Sequence, residues 1–216
     1  MSAAVPALLF GDARCLVVDK PAGLPVHPGR AGGSSVEDFF PLWRRGKAGP
    51  WAAHRLDQDT AGCLVIALKK TALLEAQACF AAGEAQKTYW AVVQGVPVAQ
   101  EGVVELPLGK VTTGRAWKMA PDQSAPRAVT AWRVRGQGAG IAWLEFAPKT
   151  GRTHQIRAHA AAIGHPILGD AVYGGGAGRL HLLARAIRLK QPDIFATAPV
   201  PPHMRERMKE CGYAEI

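Results

Sequence analysis

The sequence predicts an α+β domain built on a mixed, mostly antiparallel sheet with flanking helices. Apolar runs of strand length, several rich in β-branched residues, recur between Gly and Pro punctuation. They stand grouped, without the strict β-α alternation of a doubly wound nucleotide-binding fold. A helical period surfaces in only a few places. No internal repeat, low-complexity block or long Pro/Ser-rich linker divides the chain, so residues 1–216 read as a single domain.

Taken in order, Cys15–Val18 is a short apolar strand ending at Asp19. Two prolines and a glycine within Lys20–Pro25 then force a rigid loop. Gly29–Ser35 is a Gly-rich basic loop, and Ser35 is placed to cap a short helix carrying Val36, Phe39, Phe40 and Trp43. Leu64–Leu68 reads as a buried strand, and Thr71–Ala82 as a helix stopped by Gly83. Four further strands follow at Thr88–Gln94, Val103–Leu106, Ala128–Arg135 and Ile141–Ala147. From Thr153 the period changes, with Ile156, His159, Ala160 and Ile163 at i, i+3, i+4 and i+7, and Gly164 as the stop. Gly174–Gly178 reads as a flexible loop before a last strand at Arg179–Leu189. A short charged helix around Met204–Glu210 closes the chain.

The chain has 26 Lys and Arg against 17 Asp and Glu, a formal net charge of +9. Hydrophobic residues make up 48%, enough at this length to bury roughly 70% of the unfolded chain's surface, which excludes wholesale disorder. Charged residues are only 20%, so the excess reflects a shortage of acids spread over a folded surface. Such a surface favours a polyanion: nucleic acid first, anionic membrane second. Cys15, Cys63, Cys79 and Cys211 show no zinc-binding spacing and read as core thiols of a reducing compartment. The apolar stretch Ala3–Phe10 is too short and wrongly flanked for a secretory signal, and no run is long enough to span a membrane. The expected setting is the cytoplasm, with a monomer as the default and no membrane partner.

Three segments carry chemistry. His54-Arg55-Leu56-Asp57-Gln58-Asp59-Thr60-Ala61-Gly62 packs a cation, two carboxylates, a histidine and a hydroxyl into a turn before a buried strand. Ionisable groups at a strand entrance mark many sites, although an Asx-turn with His54 and Arg55 on the surface explains the same composition. Lys149 to His159 offers a helix start with free N–H groups and two arginines, Arg152 and Arg157, suited to phosphate. On that helix His154 and Arg157 share one face, opposite Ile156, Ala160 and Ile163; the plain alternative is an ordinary solvated face. A metal site at His154, His159 and His165 lacks the i, i+4 register. Lys87–Val93 is a strand with Tyr89 and Ala91 on one side, Trp90 and Val92 on the other. An aromatic there is ordinarily core.

The combination resembles a family. DKPAGLPVHP, HRLDQDTAG, KTYWAVVQG, GRTHQIRAH and GHPILGDAVYG follow one another in the order and at about the spacing seen in RNA pseudouridine synthases of the RluA type, over residues of about 12 to 190. The resemblance implies the pseudouridine synthase fold with its RNA-binding cleft, and a stand-alone catalytic domain without the family's optional N-terminal RNA-binding domain. It makes Asp57 the essential carboxylate of uridine isomerisation in ribosomal or transfer RNA. Arg157 resembles that acid's ion-pair partner, and Tyr89 the aromatic that packs on the target base. Arg55 resembles the residue that fills the space left by the flipped nucleotide. His54, Thr60, Arg152, His154 and Gln155 fall among the expected substrate contacts. Two positions depart from the pattern: Ala61 stands where Ser is common, and Leu180-His181-Leu182-Leu183-Ala184 replaces LHA, with His181 two residues early.

The chemistry fits the residues. Isomerisation breaks the N1–C1′ bond and joins C5 to C1′ without redox change, so no cofactor or metal is expected, and the sequence holds neither a Walker loop nor a dinucleotide fingerprint. A carboxylate can attack C1′ or take a sugar proton to give a glycal. Two rival readings remain at this point. One is a non-catalytic RNA-binding protein of the same fold. The other is a glycosidic hydrolase using Asp57 and Asp59, although such acids ordinarily stand about 5–9.5 Å apart on different elements.

Overall fold

The computed structural model describes residues 4–29, 32–114 and 116–214. Arg30 and Ala31, in the predicted Gly-rich loop, lie outside them. The chain forms two compact units, the first made of residues up to Lys87 together with Leu183–Pro199, the second of Thr88–Leu182 together with Val200 onwards.

The first unit centres on β4 (Ala61–Ala67), whose seven residues AGCLVIA are all buried. A strand flanked on both edges and covered on both faces has no need of alternation, which explains the continuous apolar run. β2 (Cys15–Lys20) pairs antiparallel with one edge of β4, and β1 (Ala7–Gly11) lies outside β2. The other edge of β4 takes the two-residue β3 (Trp51–Ala52) at its C-terminal end. At its N-terminal end that edge takes β11 (Leu182–Leu189), in parallel through Leu183↔Ala61 and Ala184↔Gly62. β12 (Ile194–Thr197) closes on β11. Gly62, with φ +109, belongs at this crossing because a Cβ there would meet the Ala184 carbonyl oxygen at 2.3 Å. The helix α2 (Lys70–Ala81) turns Ala72, Leu73, Ala76 and Cys79 inward and stops at Gly83, φ +71. The stretch after Ser35 is a 3₁₀ turn, Val36–Phe39, running into α1 (Phe40–Trp43). Asp38 accepts the Ser35 N–H at 3.1 Å.

The second unit is an antiparallel sheet ordered β5 (Gln86–Gln94), β10 (Ile141–Pro148), β9 (Val129–Gly138), β6 (Glu101–Glu105). One face carries Ala91, Val93, Ala142, Leu144 and Phe146 against Ile156 and Ala160 of α3 (Gln155–Ala162), with Ile167 and Leu180. Tyr89 packs half-buried on this cluster. Trp90 points the other way, its ring 4.7 Å from Trp143 and its Nε1–H donated to Glu145 at 3.0 Å, so the predicted alternation of β5 holds. α4 (Pro202–Glu210) ends against β9, where Gly136 and Gly138 admit the Cys211 and Glu210 carbonyls.

Several expectations need correction. The hairpin β7 (Leu108–Thr113) and β8 (Ala116–Pro121) is not foreshadowed in sequence, because its mostly exposed faces carry no apolar period. β1, β3 and β12 are short or edge strands that the pattern does not reveal. Helix α3 begins at Gln155 rather than Thr153, and β11 at Leu182 rather than Arg179. Within the predicted glycine loop Gly175 is held: it exchanges N–H···O bonds with Asp170 and Gly169 at 2.8 and 2.9 Å. A Cβ on Gly175 would lie 1.6 Å from the Ile167 carbonyl oxygen. Among the described residues no helix is long and apolar enough to cross a membrane.

Candidate active site

In the first unit the segment 54–60 is a turn at the entrance to β4. The Thr60 N–H closes on the Asp57 carbonyl at 3.1 Å, with Thr60 buried, Asp57 half-buried, and Arg55 and Asp59 exposed. Lys20 anchors this turn. It is fully buried, and its ammonium donates to the carbonyls of Gln58 (2.8 Å), Leu24 (2.8 Å) and Pro21 (3.0 Å). The Gly23 N–H joins it on Gln58 at 2.9 Å, so the Lys20–Pro25 loop and the Asp57 turn are tied through one carbonyl. Burial pulls the Lys20 ammonium down to about 8, opposed by the carboxylates of Asp59, Asp57 and Asp19. In sequence Lys20 passes for part of a breaker loop; a lysine ending an otherwise buried strand is the signal that marks it.

His54 faces inward. Its Nε2 accepts the Val65 N–H at 3.1 Å, and its ring lies 4.8 Å from Phe80. Burial, with Lys87 adding to it, pushes its pKa down to about 4. It is therefore neutral near pH 7, with the proton on Nδ1, and it fixes the start of the Asp57 turn against β4.

In the second unit the remaining predicted residues gather around the start of α3. His154 sits just outside the helix in the left-handed region, φ +51, so the expected shared helical face with Arg157 does not exist. The His154 ring stacks on Trp117 of β8 at 4.9 Å and meets the Tyr173 hydroxyl at 3.2 Å. That hydroxyl also accepts the Met119 N–H at 2.9 Å. Gln155 is 4% exposed. Its Oε1 accepts from the Thr150 hydroxyl and the Arg152 N–H, and its Nε2 donates to the Val129 carbonyl and the Thr130 hydroxyl. All four amide bonds are made within the protein, so Gln155 holds the 150–154 loop. Arg152 is exposed, with Nε donated to the Arg127 carbonyl.

Arg157 is buried. It forms a two-pronged pair with Asp170, Nε to Oδ2 at 2.7 Å and Nη2 to Oδ1 at 2.8 Å, the two side chains 8% and 0% exposed. Asp170 also accepts the N–H groups of Val172 and Tyr173, and the guanidinium lies 5.3 Å from the Tyr173 ring centre. Asp170 escapes sequence reasoning as a site residue; its only signal is the tight glycine-bounded turn in which it stands. His159, on the apolar stripe, bonds the Thr130 hydroxyl and the Leu106 carbonyl. His181 is half-buried, with Nδ1 on the Arg179 carbonyl and its ring against His203, while Leu183 is buried in β11. Among the described residues no three His, Cys, Asp or Glu side chains converge as metal ligands.

Comparison with known proteins gives this arrangement its context. Residues 14–162 match the family described as RNA pseudouridylate synthase. An uncharacterized RNA pseudouridine synthase of Zymomonas mobilis is 40% identical over 204 residues, covering 90% of this chain and 93% of the relative. The dual-specificity RNA pseudouridine synthase RluA of Yersinia pestis is 34% identical over 199 residues, covering 87% and 93%. Among solved structures, human RNA pseudouridylate synthase domain containing 4 superposes with a TM-score of 0.81 at 25% identity, over 95% of this chain and 93% of that one. With more than half of its length matched, and relatives this similar over nearly all of it, the chain belongs to the RNA pseudouridylate synthase family.

Proposed function

We propose that this protein isomerises specific uridines of ribosomal or transfer RNA to pseudouridine, with Asp57 as the essential carboxylate. The observation that carries the reading is a half-buried acid on a turn held by a buried ammonium, inside the ordered motif set of the family. Chemistry at C1′ demands an ionised acid in a site that the flipped base dries. The Lys20 cation opposes the cost of that drying. Arg157 and Tyr89 serve with Asp57, Tyr89 offering its ring to the target base. Arg55 and Arg152, both exposed, serve as RNA contacts in this reading, while His54, Thr60 and Gln155 act by fixing backbone. His154, stacked on Trp117, presents an aromatic pair of the kind on which unpaired bases settle. The whole chain serves as one catalytic domain, acting as a monomer in the cytoplasm. No comparison favours the non-catalytic alternative. The test is a pseudouridine map of host RNA with the gene present, deleted and restored, followed by tritium release from RNA labelled at uridine C5. Sites lost on deletion and regained with the wild-type gene are the expected result.

Two further outcomes follow from the site. Replacing Tyr89 by Phe keeps the ring and removes the hydroxyl. RNA affinity is expected to hold while turnover falls by about 10²-fold if the hydroxyl moves the C5 proton. Unchanged single-turnover rates assign the hydroxyl no chemical part.

The second outcome concerns pH. Lys20 loses its proton in the folded protein near pH 8, whereas the unfolded chain keeps it to about 10.4. In that window the unfolded state binds more protons, so stability rises with pH as the burial penalty is relieved. The Asp57 turn meanwhile loses its ammonium. Activity is therefore expected to fall above about pH 8 while the melting temperature does not. A kcat/KM profile flat well beyond that point removes the Lys20 charge from the mechanism.

A further inference from the structure

We propose that the C-terminal end of β4 carries a second RNA contact, a phosphate-binding patch made of Arg44, Arg45, Lys47, Lys69 and Lys70. The inference rests on RNA being the substrate. All five side chains are exposed. Backbone pairing brings their segments to one place. Ala67 of β4 pairs with Trp51 on one edge and Cys15 on the other, and the Leu68 N–H donates to the Arg14 carbonyl at 2.8 Å. Lys69 and Lys70 follow at once. Arg45 donates to the Asp12 carbonyl at 3.0 Å in the neighbouring turn, and the Lys70 ammonium lies 5.7 Å from the Trp51 ring centre.

The local acids are already committed. The Asp12 carboxylate accepts the Arg14 and Cys15 N–H groups, and Glu75 takes the Arg14 guanidinium at 2.6 Å. Among the described residues none of the five patch cations is ion-paired. Two of them, moreover, stand where a helix disfavours them: Lys69 is the N-cap of α2 and Lys70 its first residue, and the first turn holds no acid. The helix dipole repels cations there and attracts anions, so a phosphate arriving at this end relieves an internal repulsion and meets two arginines suited to it. A half-buried aromatic beside a lysine is also the pattern of surfaces that track a nucleic-acid backbone. An anionic membrane is the weaker partner, since α2, which carries two of the cations, turns its apolar residues Ala72, Leu73, Ala76 and Cys79 inward rather than toward a bilayer.

The patch stands one strand length from the Asp57 turn. Seven residues at roughly 3.3 Å each put about 20 Å between the two ends of β4. At about 3.4 Å per nucleotide, that is the span of about six nucleotides. The patch therefore reads backbone flanking the target, without sequence preference.

The test replaces Arg44, Arg45, Lys47, Lys69 and Lys70 by Gln. A control replaces five other exposed cations, Arg135, Arg188, Lys190, Arg207 and Lys209, by Gln. Binding of a labelled oligouridylate of about 40 nucleotides is measured by anisotropy between about 50 and 200 mM salt. Each phosphate that the protein no longer neutralises should flatten the log–log salt slope by about 0.7. The patch variant is expected to flatten it by about 2 or more and to bind at least tenfold more weakly, with the control much less affected. Equal losses in both variants, or none in the patch variant, overturn the proposal. So does a variant that loses only binding to vesicles containing phosphatidylserine, which reassigns the patch to membrane. Tritium release by the wild type is read separately. If it is absent while the slope still falls, the isomerase reading fails and the patch stands.

Discussion

Asp57→Asn is expected to leave no pseudouridine at the sites that the wild-type gene restores, a loss of more than about 10³-fold, while RNA affinity stays within about twofold. The substitution keeps the shape of the side chain, removes its ability to be an anion and turns one acceptor oxygen into a donor. Both routes open to the enzyme, attack at C1′ and removal of a sugar proton, need that anion, and a single positioned base or nucleophile contributes about 10²–10⁴-fold. Binding depends instead on a surface with a formal charge of +9 and on its attraction for phosphate, which the amide leaves untouched. The turn should also survive, because it is held by backbone: Lys20 and Gly23 bond the Gln58 carbonyl, and Thr60 bonds the carbonyl of Asp57 rather than its carboxylate. The measurement is the pseudouridine map of a deletion strain carrying the variant, with anisotropy on the purified protein. Full turnover in the variant moves the chemistry to another acid, of which Asp59 is the neighbour in sequence. Free uracil in place of pseudouridine restores the hydrolase reading.

The parts of the fold that are legible in sequence are those whose burial is one-sided or complete. β4, with seven buried residues, and α2, with its inward Ala72, Leu73, Ala76 and Cys79, announce themselves because packing selects their pattern. The β7–β8 hairpin does not. Among its described residues the stretch from Gly109 to Met119 is largely exposed, and what holds it is backbone pairing together with the Trp117–His154 stack and the Tyr173 hydroxyl on the Met119 N–H, none of which leaves a period in the sequence. β1 is similarly hidden at a sheet edge, with Leu8 exposed. Gly174–Gly178 is ambiguous in sequence for a different reason: glycine marks both chain that moves freely and chain packed too closely for a Cβ, and Gly175 is of the second kind.

The site divides along the same line. Asp57, Arg55, Arg157 and Tyr89 become candidates only through the ordered motifs that resemble the family; read alone, Tyr89 is an ordinary core aromatic and the 54–62 segment an Asx-turn. The residues that position them have no such motif to mark them. Lys20 looks like a loop residue until its three carbonyl partners are seen, and Asp170 looks like a turn residue until Arg157 is found on it. Such partners are set by tertiary packing between segments distant in sequence, 38 residues apart for Lys20 and Gln58. Local pattern carries no trace of that pairing. His154 shows the converse. A helical period starting at Thr153 places it on a helix face, whereas the chain passes through the left-handed region there and turns the ring toward Trp117.

Arg157→Met is expected to lower both stability and activity, and the two effects can be separated. Removing the arginine strands a fully buried carboxylate, which costs roughly 3–5 kcal/mol. At about 2–4 °C per kcal/mol for a chain of this size, the melting temperature should drop by about 6–20 °C. That exceeds what an arginine with an exposed partner would give. Adding Asp170→Asn to the variant removes the stranded charge while its amide oxygen still accepts a backbone N–H from the Val172–Tyr173 turn. Most of the missing stability should therefore return in the double variant. If Arg157 serves the reaction as well as the fold, turnover remains low after stability has recovered, and single-turnover rates measured well below both melting temperatures show it. If turnover recovers together with melting temperature, Arg157 serves the fold through its pair with Asp170 and has no separate part in the reaction.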